Sequence, residues 1–349
     1  MNKRLLTVLI CTVMALSLVA CGGSDSDDGG GGDKIKVGMV TDVGGVNDGS
    51  FNQSSWEGLQ KAQEELGIEV KYLESANDAD YAPNIEAFMD EDFDLIISVG
   101  YMLADATRDA AEANPDQKFA IIDDSSIDLP NVASLMFEQA ESSYLVGVVA
   151  GMMTKTNKVG FVLGMENQLM NQFGYGYVAG VVDTNPDVEV LQINANDFGD
   201  PAIGKSSAVT MITEGADIIF HAAGGTGRGV IDACVENDIY AIGVDSDQAS
   251  LAPDHVITSA MKRVDVSTYD ISKAVLDDEF VAGIHIYDIN TGGVDIAPTT
   301  DLLPDDVISK VEEVKQDMID GKINVPLDKE EFEASYGDIY LLDSDSEDE

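Results

Sequence analysis

The chain has 349 residues, 44% of them hydrophobic, which is enough for the cores of about two domains at roughly 150 residues each. Its 19 basic residues face 65 acidic ones, for a net charge of −46. Nucleic acid is thereby excluded as a partner, because phosphate binding needs basic patches, and anionic headgroups would repel the body of the protein.

The first element is a leader. Lys3 and Arg4 precede an apolar run over 5–20, and small residues then meet Cys21. This is the layout of a secretory signal peptide, and the run is shorter than the ~20 residues a membrane span needs. Leu18-Val19-Ala20-Cys21 resembles a bacterial lipobox. That implies removal of 1–20, a lipid on Cys21 and a lipid-anchored protein on the extracytoplasmic face of the cell membrane. Residues 21–33, Gly, Ser and Asp after Cys21, read as a flexible tether.

Strands and helices then alternate. The pattern predicts strands over 35–40, 68–73, 95–99, 119–122 and 132–137. Between and after them it predicts helices over 56–66, 84–89, 104–113 and 142–153. Trp56 falls on the apolar face of the first helix, where it reads as core. The pattern restarts with strands over 159–163, 188–193, 218–220 and 240–244 and helices over 175–182, 202–213 and 229–235. These short strands are continuously apolar, as parallel sheets covered on both faces require. Two successive sets predict an α/β fold of two doubly wound parallel-sheet lobes. The later elements, a helix over 266–276, a β-rich stretch over 283–297 and a helix over 305–319, are too few for a third domain. They are expected to complete the first two lobes. The expected boundaries are 34–153 plus about 262–290 for the N-terminal lobe, and 154–261 plus about 291–338 for the C-terminal lobe. An acidic tail is expected over 339–349.

Ligands of such sheets sit at the carboxyl ends of the strands. After the first strand comes Thr41-Asp42-Val43-Gly44-Gly45-Val46-Asn47-Asp48-Gly49-Ser50-Phe51-Asn52-Gln53. Asp123-Asp124-Ser125 follows the strand at 119–122. His221-Ala222-Ala223-Gly224-Gly225-Thr226-Gly227 follows Phe220, Asp245-Ser246-Asp247-Gln248 follows Val244, and Lys262 follows Met261. Aromatic faces can sandwich a planar ring, carboxylates accept from hydroxyls and ring N–H groups, and a lysine donates to hydroxyls. The set suits a neutral, planar, hydroxylated solute such as a nucleoside. Asp, Gly and Asn also favour turns whatever their role.

Other chemistry is poorly supported. The glycine-rich 224–229 segment meets neither the P-loop nor the dinucleotide pattern. Neither acidic end has calcium-loop spacing, and the three histidines form no HExxH motif. Of the three cysteines, Cys11 lies in the leader and Cys21 at the lipobox. Cys234 is left alone on a predicted helix as a small buried residue. No metal or cofactor is expected. Asp123 and Asp245 are the candidates for a nucleoside hydrolase, a reading that needs two carboxyls at a set separation. A sensor, or a receptor for another polar solute such as a sugar, is the remaining alternative.

The three segments 41–53, 221–227 and 243–248 resemble the basic membrane protein family of PnrA/TmpC-type nucleoside-binding lipoproteins, in order across nearly the whole mature chain. The resemblance implies a type I periplasmic-binding-protein fold with a multi-strand hinge. It also implies a receptor that delivers nucleosides to the permease of an ABC importer; the receptor is expected to be a monomer, to carry out no catalysis and to take purine nucleosides foremost. By motif position it places Phe51 and Phe220 on the base and Asp245 and Lys262 on the ribose hydroxyls. Asp42 and Asn47 contact the ligand from the first loop, Asp123 reads the base edge, with Asp124 as the neighbouring register, and Gly224 lies at the site. Glu138 or Gln139 would also approach the cleft.

Overall fold

The computed structural model describes residues 34–342; the leader, Cys21, the tether and residues 343–349 lie outside the described residues. Twelve strands are described: β1 (Lys36–Val40), β2 (Glu69–Leu73), β3 (Leu95–Val99), β4 (Lys118–Ile122), β5 (Val132–Phe137), β6 (Lys158–Leu163), β7 (Glu189–Asn194), β8 (Ile218–Ala222), β9 (Tyr240–Asp245), β10 (Val256–Lys262), β11 (Gly283–Tyr287) and β12 (Val294–Ile296). The helices between and after them are α1 (Phe51–Leu66), α2 (Tyr81–Asp90), α3 (Ala104–Ala113), α4 (Gln139–Met153), α5 (Gln168–Thr184), α6 (Pro201–Thr213), α7 (Thr226–Glu236), α8 (Val264–Leu276), α9 (Asp305–Ile319) and α10 (Lys329–Tyr336).

The strands form two six-stranded sheets, β11-β5-β4-β3-β1-β2 and β12-β10-β9-β8-β6-β7. All pairings are parallel except β12 with β10. The two orders are the same order, so each strand of one sheet has a counterpart in the other: β1 with β6, β3 with β8, β4 with β9, β5 with β10. In each sheet the chain steps to one side of its first strand and then to the other. That reversal opens a crevice at the carboxyl ends. The chain passes from one sheet to the other three times, through α4, through α8, and between β11 and β12.

The continuous apolar runs explain the layers. Every residue of β3 is buried, and so is every residue of β8. Helices therefore cover both faces, and each buried Leu, Ile or Phe contributes on the order of 1.5–3 kcal/mol. Local signals set the helix ends. Gly67 closes α1 in the left-handed region at φ 72°. Asn167 accepts from the Met170 N–H at the start of α5, and Asp200 accepts from the Ala202 N–H before Pro201 opens α6. Trp56 packs edge-on against Tyr72, ring centroids 4.8 Å apart, away from the crevice.

Two stretches differ from the sequence reading. The short helix α10 has no expected counterpart. The tail expected from 339 begins later, because Tyr340 is buried edge-on against Tyr175 at 4.8 Å, and Gln192 bonds both the Ile339 carbonyl and the Leu341 N–H. A mainly polar composition conceals one aromatic anchor. Among the described residues no helix is long and apolar enough to cross a membrane, and Cys234 is a buried free thiol.

Candidate functional site

The carboxyl ends of both sheets converge on one cavity of about 560 Å³, counting all space between its atoms. The first sheet contributes Asp42, Asp48, Phe51, Asn52, Tyr101, Met102 and Asp123. The second contributes Met170, Phe173, Phe198, Gly224, Asp245 and Lys262.

Asp123 directly follows β4, and Asp245 ends its counterpart β9. Both hold left-handed backbone, φ 66° and 65°. For a non-glycine residue that geometry costs of order 1–3 kcal/mol and occurs where surroundings impose it. Here it turns both carboxylates into the cavity. The two sheets thus present one carboxylate each from equivalent positions.

The loop from β1 to α1 is organised by carboxylates. Asp48 accepts from the N–H groups of Ser50, Asn52 and Gln53 at 2.8, 2.9 and 3.1 Å, capping the orphan donors of α1. The Asn52 side chain donates to Asp42 at 2.7 Å and to Asp48 at 3.1 Å. Ser50 donates to Asp245, so the first-sheet loop is joined to the second sheet inside the cavity.

Lys262, 1% exposed, bonds Asp123 at 2.5 Å across the sheets. Its ammonium also lies 5.1, 5.3 and 5.5 Å from the ring centres of Phe51, Phe137 and Phe173. Such cation–π contacts strengthen as water is excluded. Among the described lining residues Lys262 is the single cation, against four carboxylates. Burial pushes Asp42 up to about 6 and Asp245 up to about 7. Asp48 is also raised by burial, against the pull of its N–H donors, and Asp123 is raised by burial, against the pull of Lys262. The buried Oδ1 atoms of Asp123 and Asn52 have no hydrogen-bond partner. The cavity is therefore rich in acceptors and short of donors.

Of the residues singled out from sequence, Asp42, Phe51, Asp123, Gly224, Asp245 and Lys262 line the cavity. Asp124 does not; its carboxylate accepts from Ser126 outside it. Asn47 is a correction. Its side chain is exposed, its carbonyl accepts from Arg228 at 3.3 Å, and Asp48 turns inward in its place. Phe220 is a second correction. It is fully buried in the core against Phe161 and Tyr177, centroids 5.4 and 5.0 Å away. Ala222, two residues on and on the same face of β8, lines the cavity, so Phe220 lies beneath it, below the rim. The aromatic walls on the second-sheet side are Phe198 and Phe173. Glu138 and Gln139 also stay out: the Glu138 N–H donates to the Tyr287 carbonyl, and Gln139 donates to the Leu169 carbonyl. Sequence reasoning missed Asp48, Asn52, Tyr101, Met102, Met170, Phe173 and Phe198. The first two sit inside the loop motif and could have been weighed; the others carry no local pattern.

The family described as ABC transporter substrate-binding protein PnrA-like matches residues 35–329. The chain is 40% identical to a CD4+ T-cell-stimulating antigen of Listeria innocua, over 93% of this chain and 99% of that one. It is 36% identical to the ABC transporter nucleoside-binding protein BmpA of Lactococcus lactis, over 93% and 99%. It is 35% identical to basic membrane protein A of Borreliella burgdorferi, over 95% and 98%. Among solved structures, an ABC transporter solute-binding protein of Aeropyrum pernix superposes with a TM-score of 0.80 at 28% identity, covering 87% of this chain and 98% of that one. An arabinose-binding protein of Geobacillus stearothermophilus, TM-score 0.57 at 14% identity over 75% of this chain and 96% of that one, shares the fold alone. With two sheets of one strand order, a crevice at their carboxyl ends and a family match over nearly all the described residues, the chain belongs to the PnrA-like substrate-binding proteins of ABC transporters, which bind their solutes rather than transform them.

Proposed function

We propose that this protein captures a nucleoside, a purine one foremost, in the cavity between its sheets and delivers it to the permease of an ABC importer. It works as a monomer held on the extracytoplasmic face of the membrane by a lipid on Cys21. The observation that carries this reading is the combination of aromatic walls with an acceptor-rich interior. Phe51 and Phe198 flank a planar base, and Asp245 and Lys262 meet ribose hydroxyls. The Asp123 Oδ1 and Asn52 Oδ1 atoms are acceptors suited to base N–H groups. The lobes, 34–153 with about 262–290 and 154–261 with about 291–338, close about the three crossings, and ligand shifts the population to the closed form. The name of the Lactococcus relative points the same way.

The test is a thermal-shift screen of a soluble form from Asp33 onward against nucleosides, free bases, sugars and amino acids. A ligand that binds only the folded state raises the melting point by mass action. A shift with nucleosides alone supports the reading. A shift with sugars or amino acids and none with nucleosides overturns the ligand and the roles given to Phe51, Phe198 and Asp245.

A further inference from the structure

We infer that His221 and Gln248, neither of which lines the cavity, are a positioning pair that clasps residues 47–50 of the first-sheet loop onto the second sheet and so slows release of the ligand.

Gln248 is 2% exposed, and both polar atoms of its side chain and its backbone N–H have partners. Its Oε1 accepts from the Val244 N–H at 3.1 Å and faces His221 Nε2 at 3.1 Å. Its own N–H donates to Ser259 Oγ at 3.1 Å. An oxygen that already accepts from Val244 requires the proton on His221 Nε2, which fixes the imidazole tautomer. Burial lowers the His221 pKa to about 4, so the ring is neutral across the physiological range. The amide is thereby oriented with its NH₂ group outward, and that group donates to the Gly49 carbonyl at 2.9 Å. Gly49 belongs to the first-sheet loop.

The pair is housed deliberately. A Cβ on Gly227 would stand 2.0 Å from His221 Nδ1, and one on Gly243 would stand 2.5 Å from Gln248 Oε1. Any side chain at either glycine would displace the pair. On the loop side, the Gly49 bond is flanked by two others that join the same sheets. Ser50 donates to Asp245, and Arg228 donates to the Asn47 carbonyl at 3.3 Å. Asp245 lines the cavity and Arg228 lies at the exposed rim, so Gln248 supplies a part-buried bond outside the cavity. Opening the sheets must break it and trade it for a bond to water.

The choice of probe rests on the nucleoside reading; the clasp itself does not. The experiment compares full-length protein with Gln248→Glu, using inosine in stopped-flow dissociation and melting with and without inosine. The glutamate keeps an acceptor for Val244 and His221 and sets a second oxygen against the Gly49 carbonyl. Loss of this bond is expected to speed inosine release about tenfold and to lower the melting point of the liganded protein by more than that of the free protein, which bears only the cost of burying the new carboxyl. Unchanged release overturns the clasp, and so does an equal fall of both melting points, which marks a purely structural role. Should Gln248→Glu fail to fold, His221→Leu removes the ring that orients the Gln248 amide; faster release supports the clasp and unchanged release overturns it. If the unaltered protein binds no nucleoside, the ligand reading fails by itself. The clasp is then read by small-angle scattering: a larger radius for Gln248→Glu supports it, and equal radii refute it.

Discussion

Replacing Asp245 with Asn should make the ligand-free protein more stable and a worse receptor. Asp245 is 5% exposed, and burial raises its carboxyl from 3.8 to about 7, with Asp48 and Asp123 adding repulsion and Lys262 and Ser50 opposing it. A carboxyl with a raised folded-state pKa favours folding while it is protonated. That contribution is complete below about 3.8 and is lost as pH rises through about 7. Above that range the ionised group costs the folded protein on the order of 4 kcal/mol, since each unit of pKa difference corresponds to about 1.4 kcal/mol. Asparagine carries no charge at any pH, and its side-chain oxygen still accepts from Ser50. Urea unfolding of both proteins without ligand, at pH 4 and pH 8, reads the difference directly. Asp42, raised by burial to about 6, titrates in both proteins and cancels to first order. The expected result is near-equal stability at pH 4 and an advantage of on the order of 4 kcal/mol for the variant at pH 8. Nucleoside affinity should fall by about 1.5–3 kcal/mol, the worth of a hydrogen bond to a charged group. A variant equally stabilised at both pH values, or less stable than the parent at pH 8, would refute the claim that this carboxylate is held at a cost for ligand.

Phe198→Ala should weaken nucleoside binding by ~1–3 kcal/mol in calorimetry, the range for a base stacked on an aromatic, while Phe220→Ala should cost ~3–5 kcal/mol of folding stability as a core cavity. Comparable losses of binding and stability in both variants would undo the division between wall and core. Lys262→Met removes the one cation among the described residues that line the cavity and should cost ~3–5 kcal/mol at pH 8. Without the ammonium Asp123 becomes still harder to ionise, so stability should recover as pH falls and the carboxyl takes up its proton; a loss independent of pH argues against the pairing. Tyr340→Ala should lower stability by ~3 kcal/mol in chemical denaturation, because its ring is packed on Tyr175 and Phe332. An unchanged midpoint would return residues 339–342 to the tail.

Much of the fold follows from local pattern. Continuously apolar five- and six-residue runs such as Leu95–Val99 and Ile218–Ala222 cannot face water on either side, so they become inner parallel strands with helices on both faces. Once the sheets are parallel, the loops after each strand must gather at one edge. That is why Asp42, Phe51, Asp123, Gly224, Asp245 and Lys262 could be named from the sequence as cavity residues. The errors arise where the same logic loses its hold. In a strand buried on both faces, apolar character does not distinguish one face from the other, so nothing local shows that Phe220 points into the core. In a loop, Asn47 and Asp48 are equally suited to a turn; the need of α1 for a carboxylate on its free N–H groups turns Asp48 inward and leaves Asn47 outside. Phe173 and Phe198 reach the cavity from a helix and a loop of the second half, and Gln248 finds Gly49 across 199 positions of chain. The sequence alone determined the element order, the two-sheet plan and the chemical character of the cavity, because those depend on local periodicity and on where strands end. The facing walls and the bonds between the sheets were decided only by the tertiary structure, because they depend on how two separately built layers come to rest against each other.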